Sequence, residues 1–284
     1  MKQTWEDSLS REYFREFKGK GVIVAGGASG IGAALADGLH WLGAKVAILD
    51  KSEQAGKELA AKLAARDNAN APVVAGADLS TEAGRKRAFD EACRAVGAPV
   101  AFVSTLGLDT RIGFDVLTQD MAEMMMRVNY FAPLFSARDI MPAMRKAGGG
   151  AICLFTSRHG SEIYEPDMTG YGAAKAALDS GIRRLAVKAG EGNSAGNIIR
   201  VFGFCPGWVQ TEAQKARFSA QQFDQAAGEQ LVPAGMQAED LVPAMIFGLS
   251  KHAGLLSGTT LRYDGGEGQI KRDAVAGASR KTAT

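Results

Sequence analysis

The 284-residue chain predicts an α/β fold, a single domain built on a doubly wound parallel sheet of about seven strands with helices on both faces. Three observations predict it. Short β-rich apolar runs alternate with longer segments of helical spacing, which implies crossover connections. The runs are almost continuously apolar, as in strands buried on both sides. A glycine-rich turn joins the first run directly to the first helix.

The expected strands are "GVIVA" (21–25), "KVAILD" (45–50), "PVVAGA" (72–77), "PVAFVS" (99–104), "AICLFTS" (151–157), "NIIRVFGF" (197–204) and "TTLRY" (259–263). Helical spacing occupies 30–42, 52–66, 81–96, 117–146, 170–190 and 238–250. No Pro- or Ser-rich linker interrupts the alternation, so 21–266 reads as one domain. Residues 1–20 read as an N-terminal extension, with Trp5, Leu9, Tyr13 and Phe17 spaced as on a short surface helix. Residues 267–284 are polar and basic and read as a tail.

Bulk composition excludes several classes. Hydrophobic residues make up 46% and charged residues 23%, ordinary values for a protein with a sizeable core. A net charge of +2, without a basic block, speaks against a nucleic-acid surface. Cys93, Cys153 and Cys205 are too scattered for a disulfide framework, and neither they nor His40, His159 and His252 suggest a metal site. The amino terminus lacks the apolar core of a secretory signal, and no run is long enough to span a membrane. The expectation is a metal-free cytoplasmic protein.

The turn "GVIVAGGASGIGAALADGL" carries Gly26, Gly30 and Gly32 between strand and helix. Glycines there permit a tight turn and a close backbone approach to a pyrophosphate, and the free N–H groups of the helix start face the phosphates. This is the Rossmann-like arrangement for a dinucleotide. Asp50 ends the second strand, 18 residues beyond Gly32, near the spacing of an acid that holds a ribose diol. An anion there repels a 2′-phosphate, so NAD is expected rather than NADP.

The stretch "TGYGAAKAAL" puts Tyr171 and Lys175 one helical turn apart. Such a pair arises by chance in roughly one chain in four of this composition, so it is a weak signal alone.

Together with the loop, these residues resemble the short-chain dehydrogenase/reductase family, in its single-domain oxidoreductase branch, over about residues 20–266. The glycine spacing, "ADLS", "MMMRVNYFAP", "GGGAICLFTSRHG", the Tyr171–Lys175 pair, "CPGWVQT" and "LRYDGG" follow in that family's order. The resemblance implies a catalytic set of Asn129, Ser157, Tyr171 and Lys175. It implies cofactor contacts from Gly26, Ser29, Gly30, Ile31, Gly32, Asp50, Asp78, Leu79 and Ser104. Further contacts would come from Tyr171, Lys175, Pro206, Gly207, Val209 and Thr211. Asp78 and Leu79 would meet the adenine, and Val209 and Thr211 the carboxamide. A homodimer or homotetramer is implied as well, through helices 117–146 and 170–190.

The chemistry expected of this set is hydride transfer between NAD and a small-molecule secondary alcohol or ketone, with Tyr171 as general acid/base. A nearby ammonium and a positively charged nicotinamide lower the phenol pKa toward the working range. Ser157 would hold the substrate oxygen. Asn129 would hold a water that links Lys175 to solvent. Alternatives are an NADPH-dependent carbonyl reductase and a non-catalytic dinucleotide sensor on the same fold.

Three positions depart from the family's pattern. Ala25 replaces the Thr that braces the glycine turn, "STLG" (104–107) replaces Asn-Ala-Gly, and Phe202 replaces an Asn. Substrate contacts are expected from 158–169, where a loop salt-bridged to Glu162 or Glu165 is the plainer reading of Arg158 and His159. The rest would come from 208–236, where Trp208, Phe218 and Phe223 suggest a lid.

Overall fold

The computed structural model describes residues 6–67, 70–228, 230–232 and 235–267. Seven strands form one sheet: β1 (Gly21–Ala25), β2 (Lys45–Asp50), β3 (Val73–Gly76), β4 (Pro99–Ser104), β5 (Gly149–Phe155), β6 (Ile198–Pro206) and β7 (Thr260–Tyr263). All pairings are parallel, in the order β3-β2-β1-β4-β5-β6-β7. The expected doubly wound sheet is the observed one.

Strand alternation explains both faces. Val22, Val24, Val46, Ile48, Ala101, Val103, Phe202 and Phe204 belong to one core, whereas Ile23, Ala47, Leu49, Phe102, Ile152, Leu154 and Val201 belong to the other. Each strand sends successive side chains to opposite faces, so a sheet covered twice needs apolar residues at every position. The first core is completed by α1 (Gly30–Trp41) and a helix at Val242–Leu249. The second is completed by α3 (Glu82–Val96) and two long helices on either side of β5, at Ala132–Lys146 and Thr169–Glu191. Helix α2 (Glu53–Ala64) lies between β2 and β3 and buries Leu63.

The single helix expected over 117–146 is α4 (Gln119–Met126) and α5 (Ala132–Lys146), joined by a π-helical turn at Arg127–Phe131. The remaining helices are α6 (Thr169–Glu191), the short α7 (Glu212–Lys215), α8 (Ala220–Gly228) and α9 (Val242–Leu249). The segment read as a lid therefore contains two short helices.

The N-terminal extension differs from expectation. It forms two 3-10 turns, Glu6–Ser8 and Arg15–Phe17, rather than a surface helix. Leu9, Phe14 and Phe17 are buried in the first core, whereas Tyr13 is exposed on one side and stacks on His252 at 3.9 Å. Lys20 O accepts from Lys45 N (2.8 Å), which ties the extension to the start of β2. Trp5 and residues 268–284 of the expected tail lie outside the described residues.

Candidate active site

Strand order reverses between β1 and β4, and the carboxyl ends of these strands open the crevice where α/β sheets place ligands. The glycine turn leaves β1 there. Gly26 and Gly30 have φ of 74° and 52°, in the left-handed region that glycine enters without steric cost. A Cβ on Gly32 would stand 2.1 Å from Gly26 O, so α1 starts hard against the turn. Ser29 is exposed at the N-cap position, and Ile31 follows in the first turn.

The brace missing at Ala25 is supplied from across the crevice. The Thr105 hydroxyl lies 3.2 Å from Ala25 O and 3.0 Å from Gly26 O, and its backbone N–H donates to Ala25 O (2.9 Å). Ser104, the last residue of β4, is enclosed and its Oγ has no partner among the described residues. The polar contact at this corner thus comes from Thr105.

At the end of β2, Asp50 accepts from Ala28 N–H (3.2 Å) and Ser52 N–H (3.0 Å). Its carboxylate is held against the glycine turn, at the crevice edge. Asp78 accepts from Ser80 N–H (2.9 Å), and hydrogen bonding by the Ser80 hydroxyl and then its N–H holds the carboxyl below the usual range. Leu79 beside it is buried.

Helix α6 carries both Tyr171 and Lys175. Lys175 is buried, and its Nζ donates to Phe155 O (2.8 Å) and, more weakly, to Leu106 O (3.5 Å). These carbonyls end β5 and follow β4, so the ammonium pins α6 to both strands. Burial brings its pKa down to about 8. Nζ lies 5.7 Å from the centre of the Tyr171 ring, as one helical turn allows.

Burial of the phenol opposes the lowering expected from the ammonium and a bound nicotinamide. Burial pushes the Tyr171 pKa up, and the hydrogen bond from Ser157 opposes this without reversing it. In the chain alone Tyr171 is therefore a protonated acid, because loss of hydration outweighs its polar neighbours.

Ser157 lies two residues beyond β5 rather than within it, with extended backbone at φ −155° and ψ 151°. The ladder carries on to reach it, since Thr156 N–H donates to Phe204 O (2.9 Å). Asn129 is fully buried in the π-helical turn. Its Oδ1 accepts from Leu108 N–H (2.9 Å), and its Nδ2 donates to Leu108 O and Met125 O (both 3.1 Å). A Cβ on Gly107 would lie 3.4 Å from Asn129 Oδ1 and 3.7 Å from Lys175 Nζ, so these three groups converge.

The turn after β6 closes the other flank. Gly207 N–H donates to Tyr263 O (3.1 Å), and Val209 is buried and bridges to Met236. Pro206 belongs to the strand itself, and Thr211 caps α7. A Cβ on Gly30 would meet the Thr211 methyl at 3.2 Å, which brings this turn to the glycine loop.

Two arrangements around the site were not foreseen. Asp109 accepts from Gln214 Nε2 (2.7 Å), and Gln214 Oε1 accepts from Trp208 Nε1 (3.1 Å). Trp208, Phe218 and Phe223 pack with ring centres 4.5–6.4 Å apart. Arg158, expected in a solvated loop, is instead buried, although it does pair with Glu162. It also reaches Asp264 (3.5 Å) and Glu267 (2.7 Å), and Arg262 bridges Asp264 (2.6 Å) and Glu162. Only a folded chain brings residues 158 and 264 together, so spacing could not have signalled either arrangement.

The site thus joins a phosphate-type cradle to a Ser, a Tyr and a Lys at the carboxyl ends of the middle strands. Residues 26–267 match the family described as enoyl-(acyl carrier protein) reductase. The chain is 30% identical over 260 residues to a probable galactose dehydrogenase of Rhizobium meliloti, spanning 91% of this chain and 99% of that one. It is 30% identical over 258 residues to D-xylose 1-dehydrogenase of Caulobacter vibrioides, with the same shares covered. A solved 7α-hydroxysteroid dehydrogenase, complexed with NADH and 7-oxo glycochenodeoxycholic acid, superposes with a TM-score of 0.82 at 25% identity. That match covers 92% of this chain and 99% of the other. The chain belongs to the short-chain dehydrogenase/reductase family, a family of oxidoreductases.

Proposed function

We propose that this protein interconverts a secondary alcohol and its ketone with NAD, and that Tyr171 carries the proton. The observation that supports it most is the convergence of Ser157, Tyr171 and Lys175 beside the glycine cradle. The cradle suits a dinucleotide: Gly32 leaves no room for a side chain, Gly26 and Gly30 turn the backbone, and the first turn of α1 faces the crevice. Asp50 at its edge fits a ribose diol and disfavours a 2′-phosphate. Thr211 and Val209 would border the nicotinamide end.

NAD, when bound, supplies the hydride acceptor, and the protein supplies geometry and proton control. Ser157 orients the substrate oxygen and stabilises charge as it develops there. Tyr171 takes the hydroxyl proton during oxidation and returns it during reduction. Lys175 holds the phenol's surroundings positive and is itself anchored by Phe155 O and Leu106 O. Asn129 fixes the loop at Leu108, close to Lys175, where a proton path to solvent would begin.

Tyr171→Phe is expected to retain NAD affinity and lose turnover by about a thousandfold or more, on the usual scale for removing an acid/base group. Dehydrogenase activity near wild type in that variant removes the assignment. A wild type that prefers NADP over NAD overturns the reading of Asp50. A homodimer or homotetramer belongs to the same proposal, supported by the exposed Met121, Met124 and Phe131 along α4 and the π turn. Sedimentation velocity tests it.

A further inference from the structure

We infer that Asp109 is a specificity-determining residue, whose carboxylate accepts hydrogen bonds from the additional hydroxyl groups of a neutral polyhydroxy substrate, a sugar or polyol. The inference rests on the alcohol oxidoreductase reading above and names its substrate class.

Asp109 stands five residues beyond the end of β4 and two beyond Gly107, where a Cβ would meet Asn129 Oδ1 and Lys175 Nζ. Its position is set by the segment that follows β6: Oδ2 accepts from Gln214 Nε2 (2.7 Å), and its backbone carbonyl accepts from Arg217 Nη1 (2.5 Å). The second carboxylate oxygen, Oδ1, is enclosed and has no hydrogen-bond partner among the described residues. The His159 ring centre lies 5.9 Å from that of Tyr171; its Nδ1 is enclosed and has no hydrogen bond among the described residues, with Glu165 Oε2 3.9 Å away. The Asp109 charge reaches Tyr171, Lys175 and His159, favouring the protonated form of each. Asp109 Oδ1 thus lacks a hydrogen bond, and His159 Nδ1, near the phenol, has only the Glu165 ion contact. Leaving such groups without hydrogen bonds is unfavourable, and a hydroxyl-rich ligand supplies them.

The same surroundings disfavour other substrates. A carboxylated substrate would face the Asp109 anion without a spare cation among the described arginines here. Arg111 is paired with Glu165 (2.8 Å) and Asp167 (2.9 Å), Arg158 with Glu267, and Arg217 lies 3.8 Å from Asp109 itself. An apolar alcohol would leave Oδ1 and His159 Nδ1 as they are. A neutral compound with several hydroxyls is the class that gains from both atoms. Discrimination of this kind is large because the penalty falls on the enzyme's own buried polar groups.

The test measures kcat/KM with NAD for D-glucose, D-xylose and ribitol, for analogues of each lacking one hydroxyl, and for D-gluconate and cyclohexanol. Calorimetry of the same compounds on the NADH-loaded protein runs beside it. Asp109→Ala is expected to lower kcat/KM for a preferred sugar or polyol by roughly tenfold to a hundredfold, the scale of a charged hydrogen bond. It should change kcat/KM little for the one analogue that lacks the bonded hydroxyl. Gln214→Ala, which loosens the same segment but keeps the carboxylate, should lower both alike. Sugar binding that depends on Asp109 without any turnover supports the inference and overturns the catalytic reading. Preference for cyclohexanol or D-gluconate, or an Asp109→Ala loss equal on every sugar and deoxy analogue, overturns the inference and leaves the oxidoreductase reading standing. Absence of both binding and turnover for all the sugars and ribitol overturns it too.

Discussion

Lys175 is held where its charged form is disfavoured, and this has a measurable sign. Its pKa in the folded chain, about 8, lies below the ordinary 10.5. Below pH 8 both folded and unfolded chains carry the proton, and the folded chain bears the full penalty of a buried ammonium, about 3 kcal/mol. Between pH 8 and 10.5 the unfolded chain binds more protons, so stability rises with pH as the penalty is relieved. Lys175→Met should lose turnover, and the wild type should gain stability relative to it across that window, as urea denaturation at several pH values will show. Tyr171 points the same way in kinetics. Because burial keeps the phenol protonated, alcohol oxidation should accelerate as pH rises and ketone reduction should not; pH profiles of kcat/KM in the two directions check this. At this scale the Tyr171–Lys175 pair was legible, since one turn of helix fixes its spacing. The upward pKa was not, because it depends on burial that no local pattern records. Asp109 was invisible for the same reason: its partner Gln214 lies 105 positions away.

Among the elements, the turn from β1 to α1 is the least tolerant of change. Gly32→Ala places a methyl group 2.1 Å from Gly26 O, a backbone atom that cannot step aside without opening the turn. NADH affinity should fall at least about tenfold, since a displaced helix start no longer aims its N–H groups at the phosphates. Fluorescence titration measures it. The central strands could be read from their apolar runs because both faces are buried, whereas the edge strands β3 and β7 are only partly covered. Their ends shifted where extended backbone continues past the ladder, as at Ser157. The π-helical turn around Asn129 could not be read, for its sequence is as helical as its flanks. Nor could the extension: a four-residue repeat suggested one helix face, but Phe14 is buried and Tyr13 is not, because 3-10 turns rotate side chains differently.

At the scale of the whole molecule, the charged cluster joins the segment after β5 to the end of β7. Arg158 and Asp264 are both nearly enclosed, at 7% and 4% exposure, and removing Asp264 takes a carboxylate from both Arg158 and Arg262. Asp264→Ala should cost about 3–5 kcal/mol of stability, the scale for breaking a buried ion pair. A urea midpoint close to wild type would show that Glu162 and Glu267 suffice to hold Arg158. Arg158 follows Ser157 directly, so the cluster also ties down the start of that segment.

The packed extension has a practical side. Phe14 and Phe17 enter the same core as α1 and α9, and His252 Nε2 meets Tyr13 O at 3.0 Å. The segment ahead of β1 is therefore a strap anchored in the core by Leu9, Phe14 and Phe17. Recombinant versions trimmed to begin at β1 would bare an apolar face and invite aggregation, so protease cleavage sites belong upstream of residue 6.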